Sequence, residues 1–473
     1  MSGLFGSLNA SISALNAQSL ALQTAGKNLA NVNNPNYARQ RVVMGDLGTV
    51  LTPQGAQSTG LQALQTEQIR DALLDRQVTR EISNTAVLTS QQAAYKNAEA
   101  GLGQSVDTSQ STAAASGLSA GQGSVAAALS DFFNAFSSLA ASPTDTGVRQ
   151  TLLQKAAILT NGLQSTDFNL SQLQSDLTTQ ANTDITSTNT ILGAIANLNG
   201  QIARLEVNHP GSAVDLRDQR QTQLELLAGK MSFTSSIDPG SSAQVDVYAV
   251  DASGSPVPLV TQAAVTGPLT LTGSVLSAGS LATALTLSGG SIKGGLDARD
   301  GVVQTLRDQL GALSKQLVTS VNAAYNPTGT TGDFFTASGT TAATINVAAG
   351  VTPSSLKASD GGAAGDNTVA NAISALASQS FSTAGGDAID GTFSQFYGNA
   401  VSSLGQAAAT ATTQLANQTN IETVVRSQRD AVSGVSLDEE SADLVKYQRS
   451  YEASARVISI IDSLLDTIIK LGT

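Results

Sequence analysis

The chain has 473 residues, a formal net charge of −12, no cysteine and a single histidine. The lack of cysteine excludes disulfides, thiolate metal sites and cysteine nucleophiles, and one histidine excludes two-histidine metal sites. The acidic charge argues against nucleic acid as the main partner, and no apolar run approaches the ~20 residues of a membrane span.

The first segment of the chain is patterned as an amphipathic helix. Its leucines recur at a spacing of seven residues, close to two helical turns, so they line one face. They are Leu8, Leu15, Leu22 and Leu29, and Ile12 fills the neighbouring lane. This stripe predicts a helix that packs along a partner helix.

An asparagine-rich turn ends that helix. Pro35 disfavours the α conformation at Asn34, and asparagine tolerates left-handed backbone conformations. We therefore predict a left-handed turn in this segment. Its marker residues are Asn28, Asn31, Pro35 and Tyr37.

The middle of the chain is predicted to be mainly helical. A short extended segment at 39–44 precedes a linker, and a link rich in Gly, Ser, Thr and Ala occupies 101–123. Apolar residues at helical spacing predict helices at 61–100, 129–139, from near 145, at 165–207 and at 215–228.

From Met231 the apolar period changes to two. Residues 244–250 alternate, and turn residues punctuate the chain up to Gly295, which predicts a small β insertion. Helix resumes between Val303 and Val321, and 327–366 is predicted to be irregular with one short strand near 344–348. A long helix is predicted at 393–432, before Gly434.

The last segment repeats the seven-residue pattern of the first. The residues on this stripe are Leu437, Leu444, Tyr451, Ile458 and Leu465, with Tyr447, Ile461 and Ile468 beside them. From Val457 onward, apolar side chains cover roughly half of the helix circumference. One partner helix leaves part of this surface uncovered, which favours further copies of the chain as partners. The alternative is that the two terminal segments are ordinary core helices of a monomer.

These elements predict a mainly α, elongated chain with a small inserted β domain. The N- and C-terminal helices pair as a coiled coil, and the β insertion lies at the far end of a helical rod. The predicted domains are a terminal assembly domain (1–45 and 433–473), a helical rod (46–230 and 295–432) and the β insertion (231–294).

Catalytic, cofactor and metal sites are not supported by the sequence. His209 precedes Pro210-Gly211 in a predicted turn, and Asp387 and Asp390 lack the spacing of a calcium loop. The sequence Gly121-Gln122-Gly123 follows a flexible link and not a strand, so it is a weak dinucleotide motif. The acidic residues from Asp438 to Asp443 suit the first turn of a helix. We predict neither enzyme activity nor a cofactor.

Several of these blocks resemble known sequences. The Asn28–Tyr37 turn resembles the asparagine-rich signature of the flagellar rod, hook and hook-associated axial proteins. The blocks 436–440, 444–448 and 451–458 are similar to the C-terminal signature of the hook-associated members. Two interior blocks add to this resemblance, the one around Phe132-Phe133 and the one around Phe334-Phe335.

The resemblance implies a structural protein of the bacterial flagellum at the hook–filament junction. It implies export through the flagellar type III channel to the cell exterior, without a cleaved signal. Implied partners are further copies in a ring-like layer, hook protein, a second junction protein and an export chaperone on the C-terminal helix. The terminal stripes would then be the assembly interface, with no nucleic acid and no membrane span involved.

Two alternatives remain at this stage. The chain could be another axial protein, such as hook protein or a different hook-associated protein. It could also be an axial protein whose variable middle carries an enzyme, although one histidine and no cysteine count against that class.

Overall fold

The structure, a computed structural model, describes residues 2–46, 48–52, 55–58, 60–102, 124–237, 243–279, 281–329, 332–361 and 365–471. The part of the predicted link (101–123) that follows Leu102 lies outside these residues. The motif at 121–123 lies outside them as well. The helices are α1 (Ser2–Ala30), α2 (Ala72–Gly101), α3 (Val125–Ala141), α4 (Thr146–Leu205), α5 (Val214–Lys230), α6 (Ser291–Ala298), α7 (Gln304–Tyr325), α8 (Thr368–Ala375), α9 (Phe393–Ser433) and α10 (Leu437–Leu471).

The strands are short and antiparallel. They are β1 (Gln40–Asp46), β2 (Thr49–Thr52), β3 (Gly55–Ser58), β4 (Leu61–Gln68), β5 (Thr234–Ile237), β6 (Val245–Val250), β7 (Pro256–Thr261), β8 (Ala264–Val265), β9 (Leu269–Thr272), β10 (Val275–Ala278) and β11 (Thr283–Ala284). β1 pairs with β4, and β2 pairs with β3. The insertion contains the sheets β5-β6-β7-β8 and β11-β10-β9. The predicted fold class, mainly α with a small β insertion, is confirmed.

One predicted helix boundary is wrong. Residues 61–68 form β4 instead of helix, because they pair with β1 in a register that joins Gln40 to Gln68 and Asp46 to Leu61. The helix starts only after Asp71, whose carboxylate accepts hydrogen bonds from the Leu73 and Leu74 amides at 2.7 and 3.3 Å. This capping interaction satisfies backbone donors that have no partner within the helix.

Other helices are longer than predicted, or were not predicted. The helices expected from near 145 and at 165–207 are a single helix, α4, because no proline interrupts the chain there. The helix expected from Val303 is preceded by α6, which a π-helical segment at Arg299–Val303 joins to α7. α8, which lies between the predicted irregular segment at 327–366 and the predicted helix at 393–432, was not predicted.

The chain divides into two compact units. The first consists of Met1–Thr85, Ile185–Gly290 and Gln418–Thr473, and the second of Ala86–Asp184 and Ser291–Asn417. The first unit contains the terminal helices and the β insertion. The three-part domain map drawn from the sequence remains a prediction, as does the far-end position of the insertion.

The core of the second unit is aromatic. Phe334 is fully buried, and its ring centroid lies 5.9 Å from that of Phe132, 5.4 Å from Phe136 and 4.9 Å from Phe335. The two phenylalanine blocks noted in the sequence are therefore parts of one core. α3, α7 and α8 pack around it, which gives this unit a substantial apolar interior despite the low aromatic content.

In the first unit, polar side chains attach the β insertion to the helices. Asn199 of α4 donates to the Val245 carbonyl at 2.8 Å, and Asn189 donates to the Leu269 carbonyl at 3.0 Å. Arg220 of α5 donates to the Ala243 carbonyl at 2.7 Å. Burial lowers the pKa of Arg220 to about 10. These bonds satisfy strand carbonyls that would otherwise be buried without partners.

Candidate functional site: the paired terminal helices

α1 and α10 pack against each other along their lengths. Asn28, near the end of α1, contacts Glu440, near the start of α10, with 2.9 Å between Nδ2 and Oε2. The two helices therefore run antiparallel, and both chain termini lie at the same end of the pair. The predicted pairing of the terminal helices is confirmed.

The predicted interface residues differ in how far the pair buries them. Ile461 is the most deeply buried, with 6% of its surface exposed. Most of the others are half-buried, because a single partner helix covers only one side: Leu8, Leu15, Leu22, Leu29, Leu444, Tyr447, Ile458 and Leu465. The remaining four are exposed: Ile12, Leu437, Tyr451 and Ile468.

A second face of α10 carries an exposed apolar stripe. Val457, Ile460, Leu464 and Ile468 are 44, 60, 48 and 42% exposed. At 100° per residue they fall within a sector of roughly 80°, so they form one continuous ridge. We call these four residues the outer stripe of α10. No element of the described chain covers it.

Asn28 connects the terminal pair to the chain that follows α1. Its amide nitrogen donates to the Gln40 carbonyl at 2.8 Å as well as to Glu440, and its oxygen accepts from Gln40 N at 3.0 Å and from the Tyr37 hydroxyl at 2.9 Å. The side chain is 1% exposed. Burial, aided by nearby carboxylates including Glu440, raises the pKa of the Tyr37 hydroxyl, which favours its protonated, donating form.

Arg39 joins β1 to the acidic first turn of α10. Its guanidinium contacts Glu440 and Glu439 at 2.6 Å each and Asp443 at 3.5 Å. Its backbone amide also donates to the Ser433 carbonyl, at the end of α9, at 2.8 Å. These carboxylates were interpreted from the sequence as complements to the helix dipole. Glu439, Glu440 and Asp443 also form ion pairs with Arg39.

The asparagine-rich turn differs from its predicted backbone conformation. None of residues 31–36 has a positive φ, so the left-handed prediction is wrong. Hydrogen bonds hold the turn instead. Asn31 donates from its side chain to the Lys27 carbonyl at 2.9 Å, and Asn34 Oδ1 accepts from the Asn36 amide at 3.3 Å.

Two arginines from other elements hold the carbonyls of this turn. Arg429 of α9 donates to the Pro35 carbonyl at 2.9 Å, and Arg70 donates to the Asn36 carbonyl at 3.0 Å. Each arginine also pairs with a buried carboxylate, Arg429 with Glu225 at 2.7 Å and Arg70 with Asp218 at 2.6 Å. The turn thus fixes the base of the terminal pair to α5 and α9.

Sequence reasoning found Asn28, Asn31, Pro35 and Tyr37 but missed the residues that hold them: Arg39, Gln40, Arg70, Arg429 and the pairing role of Glu440. One signal was available. Basic residues directly follow the turn, and the first turn of α10 is acidic. Because the two terminal segments were predicted to pair, these opposite charges could have been expected to meet.

The residues weighed for chemistry have structural partners. Asp387 accepts from the Ser382 amide at 2.9 Å and Asp390 from the Thr383 amide at 2.8 Å, and His209 is exposed in the turn between α4 and α5. Within the described ranges there is no cluster of three or more metal-ligating side chains. No described helix has the length and hydrophobicity to cross a membrane.

Two family models match the chain. The one described as "Flagellar hook-associated protein FlgK helical domain" matches residues 113–335, which include both phenylalanine blocks. The one described as "Flagellar basal body rod FlgEFG protein C-terminal" matches residues 426–471, which include α10.

Full-length relatives agree with these matches. Flagellar hook-associated protein 1 of Escherichia coli is 24% identical over 98% of this chain and 99% of its own length. The protein of the same name from Bacillus subtilis is 24% identical over 99% of both chains. A solved structure, the flagellar hook junction protein FlgK from Burkholderia pseudomallei, is 21% identical with a TM-score of 0.44, covering 53% of this chain and 43% of that one.

The paired terminal helices, the aromatic core and the matches along the whole chain define a flagellar axial protein, a structural subunit of the bacterial flagellum. The chain is similar to flagellar hook-associated protein 1 over nearly its whole length, and the family models support a hook-associated axial structural protein. It is accordingly an extracellular component, exported through the flagellar apparatus.

Proposed function

We propose that this chain forms the junction between hook and filament by self-association of its paired terminal helices. The observation that carries the proposal is the outer stripe of α10, which is apolar and exposed although it lies on one of the longest helices. Exposed apolar ridges of this kind mark protein interaction sites.

The energetics favour assembly through this ridge. Burial of a large apolar side chain contributes about 1.5–3 kcal/mol, and the stripe offers four such side chains for each copy. The half-buried residues, such as Leu15 and Ile458, retain surface that a neighbouring pair of helices could cover. Ile461 would then stabilise the pair itself, while Ile12, Tyr451 and Ile468 would meet neighbouring copies.

The proposed partners are those suggested by the similarity to hook-associated protein 1. We propose a ring-like homo-oligomer that contacts hook protein on one side and a second junction protein on the other. Before export, a chaperone would cover the outer stripe. The role is structural and not catalytic, because the carboxylates considered for metal or acid–base chemistry hold loops in place through hydrogen bonds.

The test adds two carboxylates to the outer stripe by the double substitution Ile460→Asp and Leu464→Asp. The matched control is Ser459→Asp with Ser463→Asp, which adds the same charges to exposed positions on the polar face of the same helix. Each variant would be expressed in a strain that lacks the gene. Flagellin in the medium, filaments on hooks and motility would be measured.

Burial of an unpaired carboxylate in an apolar contact is strongly unfavourable. The stripe variant should therefore release flagellin and leave hooks without filaments, while the serine control retains filaments. Both purified variants should keep the helical content of the unchanged protein. Normal motility of the stripe variant would contradict the proposal.

A further inference from the structure

A cleft in the first unit lies between α2 and the start of the β insertion. It has a volume of about 360 Å³, and its lining residues come from 76–84, 232–235 and Ser288. None of them belongs to the terminal pair or to the asparagine-rich turn, so the proposed assembly function does not explain the cleft.

One wall is a polar face of α2 with two arginines. Arg76 and Arg80 are four residues apart and therefore lie on the same side of the helix. Arg76 uses its Nε to donate to the Ala72 carbonyl at 3.2 Å, and Arg80 uses its Nε to contact Glu81 at 3.0 Å. Within the described chain, the Nη groups of both arginines have no hydrogen-bond partner. The two arginines and Glu81 together give this wall one net positive charge, although the chain as a whole has a net charge of −12.

The facing wall supplies hydroxyl groups and one aromatic ring. Ser232 and Phe233 directly precede β5, Ser235 lies in β5, and Ser288 comes from the loop after β11. Ser232 Oγ accepts a hydrogen bond from the Ser288 amide at 2.9 Å, which fixes the two segments together. Serine hydroxyls both donate and accept hydrogen bonds, so this wall suits a ligand that also does both.

Ser83 is the most deeply buried residue of the lining. The residue is 5% exposed, and its Oγ has no hydrogen-bond partner in the described structure. Its backbone is fixed, because the Gly290 amide donates to the Ser83 carbonyl at 2.8 Å. The Oγ is closed to solvent and packs against Gly289, so Ser83 supports the wall of the cleft and does not itself contact a ligand.

We infer that this cleft binds a small hydroxylated ring that carries an anionic group, the chemistry shared by sugar phosphates and uronic acids. Guanidinium groups bind phosphate and carboxylate oxygens in a bidentate manner. The serines would pair with ring hydroxyls, and Phe233 would contact the C–H face of the ring. The volume lies within the ~300–1,000 Å³ range of small-molecule sites.

Calorimetric titration of the full chain tests this inference with four probes: glucose 6-phosphate, glucuronate, glucose and inorganic phosphate. At least one of the two sugar anions should bind, and glucose and phosphate should each bind at least about tenfold more weakly, since each offers only part of the recognised chemistry. The double substitution Arg76→Gln with Arg80→Gln should weaken binding of the sugar anion by about tenfold or more.

Two further variants separate binding from folding. Arg204→Gln with Arg456→Gln removes the same charge from exposed positions outside the cleft and should leave the affinity unchanged. Ser235→Ala deletes one part-exposed hydroxyl of the lining and should weaken binding of the sugar anion without lowering the thermal midpoint. The inference is overturned if neither sugar anion binds at about 10 mM. Equal binding of inorganic phosphate, or unchanged binding by a folded Arg76/Arg80 variant, also overturns it.

Discussion

Arg39 Nε donates a hydrogen bond to Glu440 Oε1 at 2.6 Å, although the two residues are 401 positions apart in the chain. Glu440 is 2% exposed and also accepts from Asn28, so one buried carboxylate receives donors from the end of α1 and from the residue directly before β1. The pair ties the first turn of α10 to the N-terminal segment. A change that orders or disorders one terminal helix should therefore affect the other helix as well.

Replacement of Arg39 by Gln should loosen the base of the terminal pair. Glu440 would stay buried without its cation, and removal of one partner from a largely buried ion pair costs about 2–4 kcal/mol. Hydrogen exchange should become faster in α1 and α10. Arg41→Gln is the control, because Arg41 pairs with Glu67 at 3.6 Å on the surface, and exposed pairs contribute about 0–1 kcal/mol. Equal exchange rates in the two variants would contradict the coupling.

Asn28→Ala should destabilise the same region by a different route. The substitution leaves the backbone N–H and C=O of Gln40 without their side-chain partner, and each buried polar group left unpaired costs about 1–3 kcal/mol. Asn33→Ala, at an exposed position of the same turn, should change the free energy of unfolding by no more than about 0.5 kcal/mol. Chemical denaturation of both variants measures the difference. A similar small change in both would show that Asn28 does not hold the turn.

The seven-residue pattern was sufficient to predict the pairing of the terminal helices, because heptad spacing determines which residues share a face. It could not show how much of that face one partner covers. Ile461 is buried and Ile468 exposed although both belong to the predicted interface, since burial depends on the position and direction of α1. The sequence showed that α10 has more apolar surface than one partner helix can cover. Which of these residues stay exposed depends on how α1 packs against α10.

Local rules failed where partners distant in sequence decide the outcome. Residues 61–68 have apolar positions compatible with a helix, yet β1 offers them a complete antiparallel register. The asparagine-rich turn has residues that tolerate positive φ, but arginines more than 30 and nearly 400 residues away hold its carbonyls in an ordinary conformation. Neither partner is visible in a local window of sequence.

Glu206 should make the stability of the first unit depend on pH. Burial of its carboxylate acts to raise the pKa, but hydrogen bonds from Arg217 and from the Gly211 and Ala213 amides outweigh burial and lower the pKa below 4.5. A lowered folded-state pKa stabilises the fold above the unfolded-state pKa, and this contribution is lost as the pH falls through the folded-state value.

The free-energy difference between the unchanged protein and Glu206→Gln should therefore be constant from about pH 7 to pH 5 and should shrink as the pH falls below about 4.5. Denaturant unfolding at a series of pH values measures it. Glu452→Gln, on the exposed surface of α10, controls for the removal of one negative charge. A difference that does not change with pH would show that Glu206 stabilises the fold only through its neutral contacts.

Phe334 should be essential to the core of the second unit. Its ring contacts those of Phe132, Phe136, Tyr325 and Phe335 with centroid distances between 4.9 and 5.9 Å. Replacement of a buried phenylalanine by alanine costs about 3–5 kcal/mol, because the lost contacts are accompanied by a cavity that neighbouring side chains only partly fill.

Phe168→Ala provides the matched control, since the same atoms are removed from a side chain that is 66% exposed in the same unit. That substitution should change stability by about 0.5 kcal/mol or less. The chain has no tryptophan, so circular dichroism during urea unfolding and hydrogen exchange in α3 and α7 are the suitable measurements. Phe334→Ala should lower the urea midpoint and speed exchange in both helices, whereas Phe168→Ala should do neither. If both variants unfold at the midpoint of the unchanged protein, the two phenylalanine blocks do not form the cooperative core of this unit.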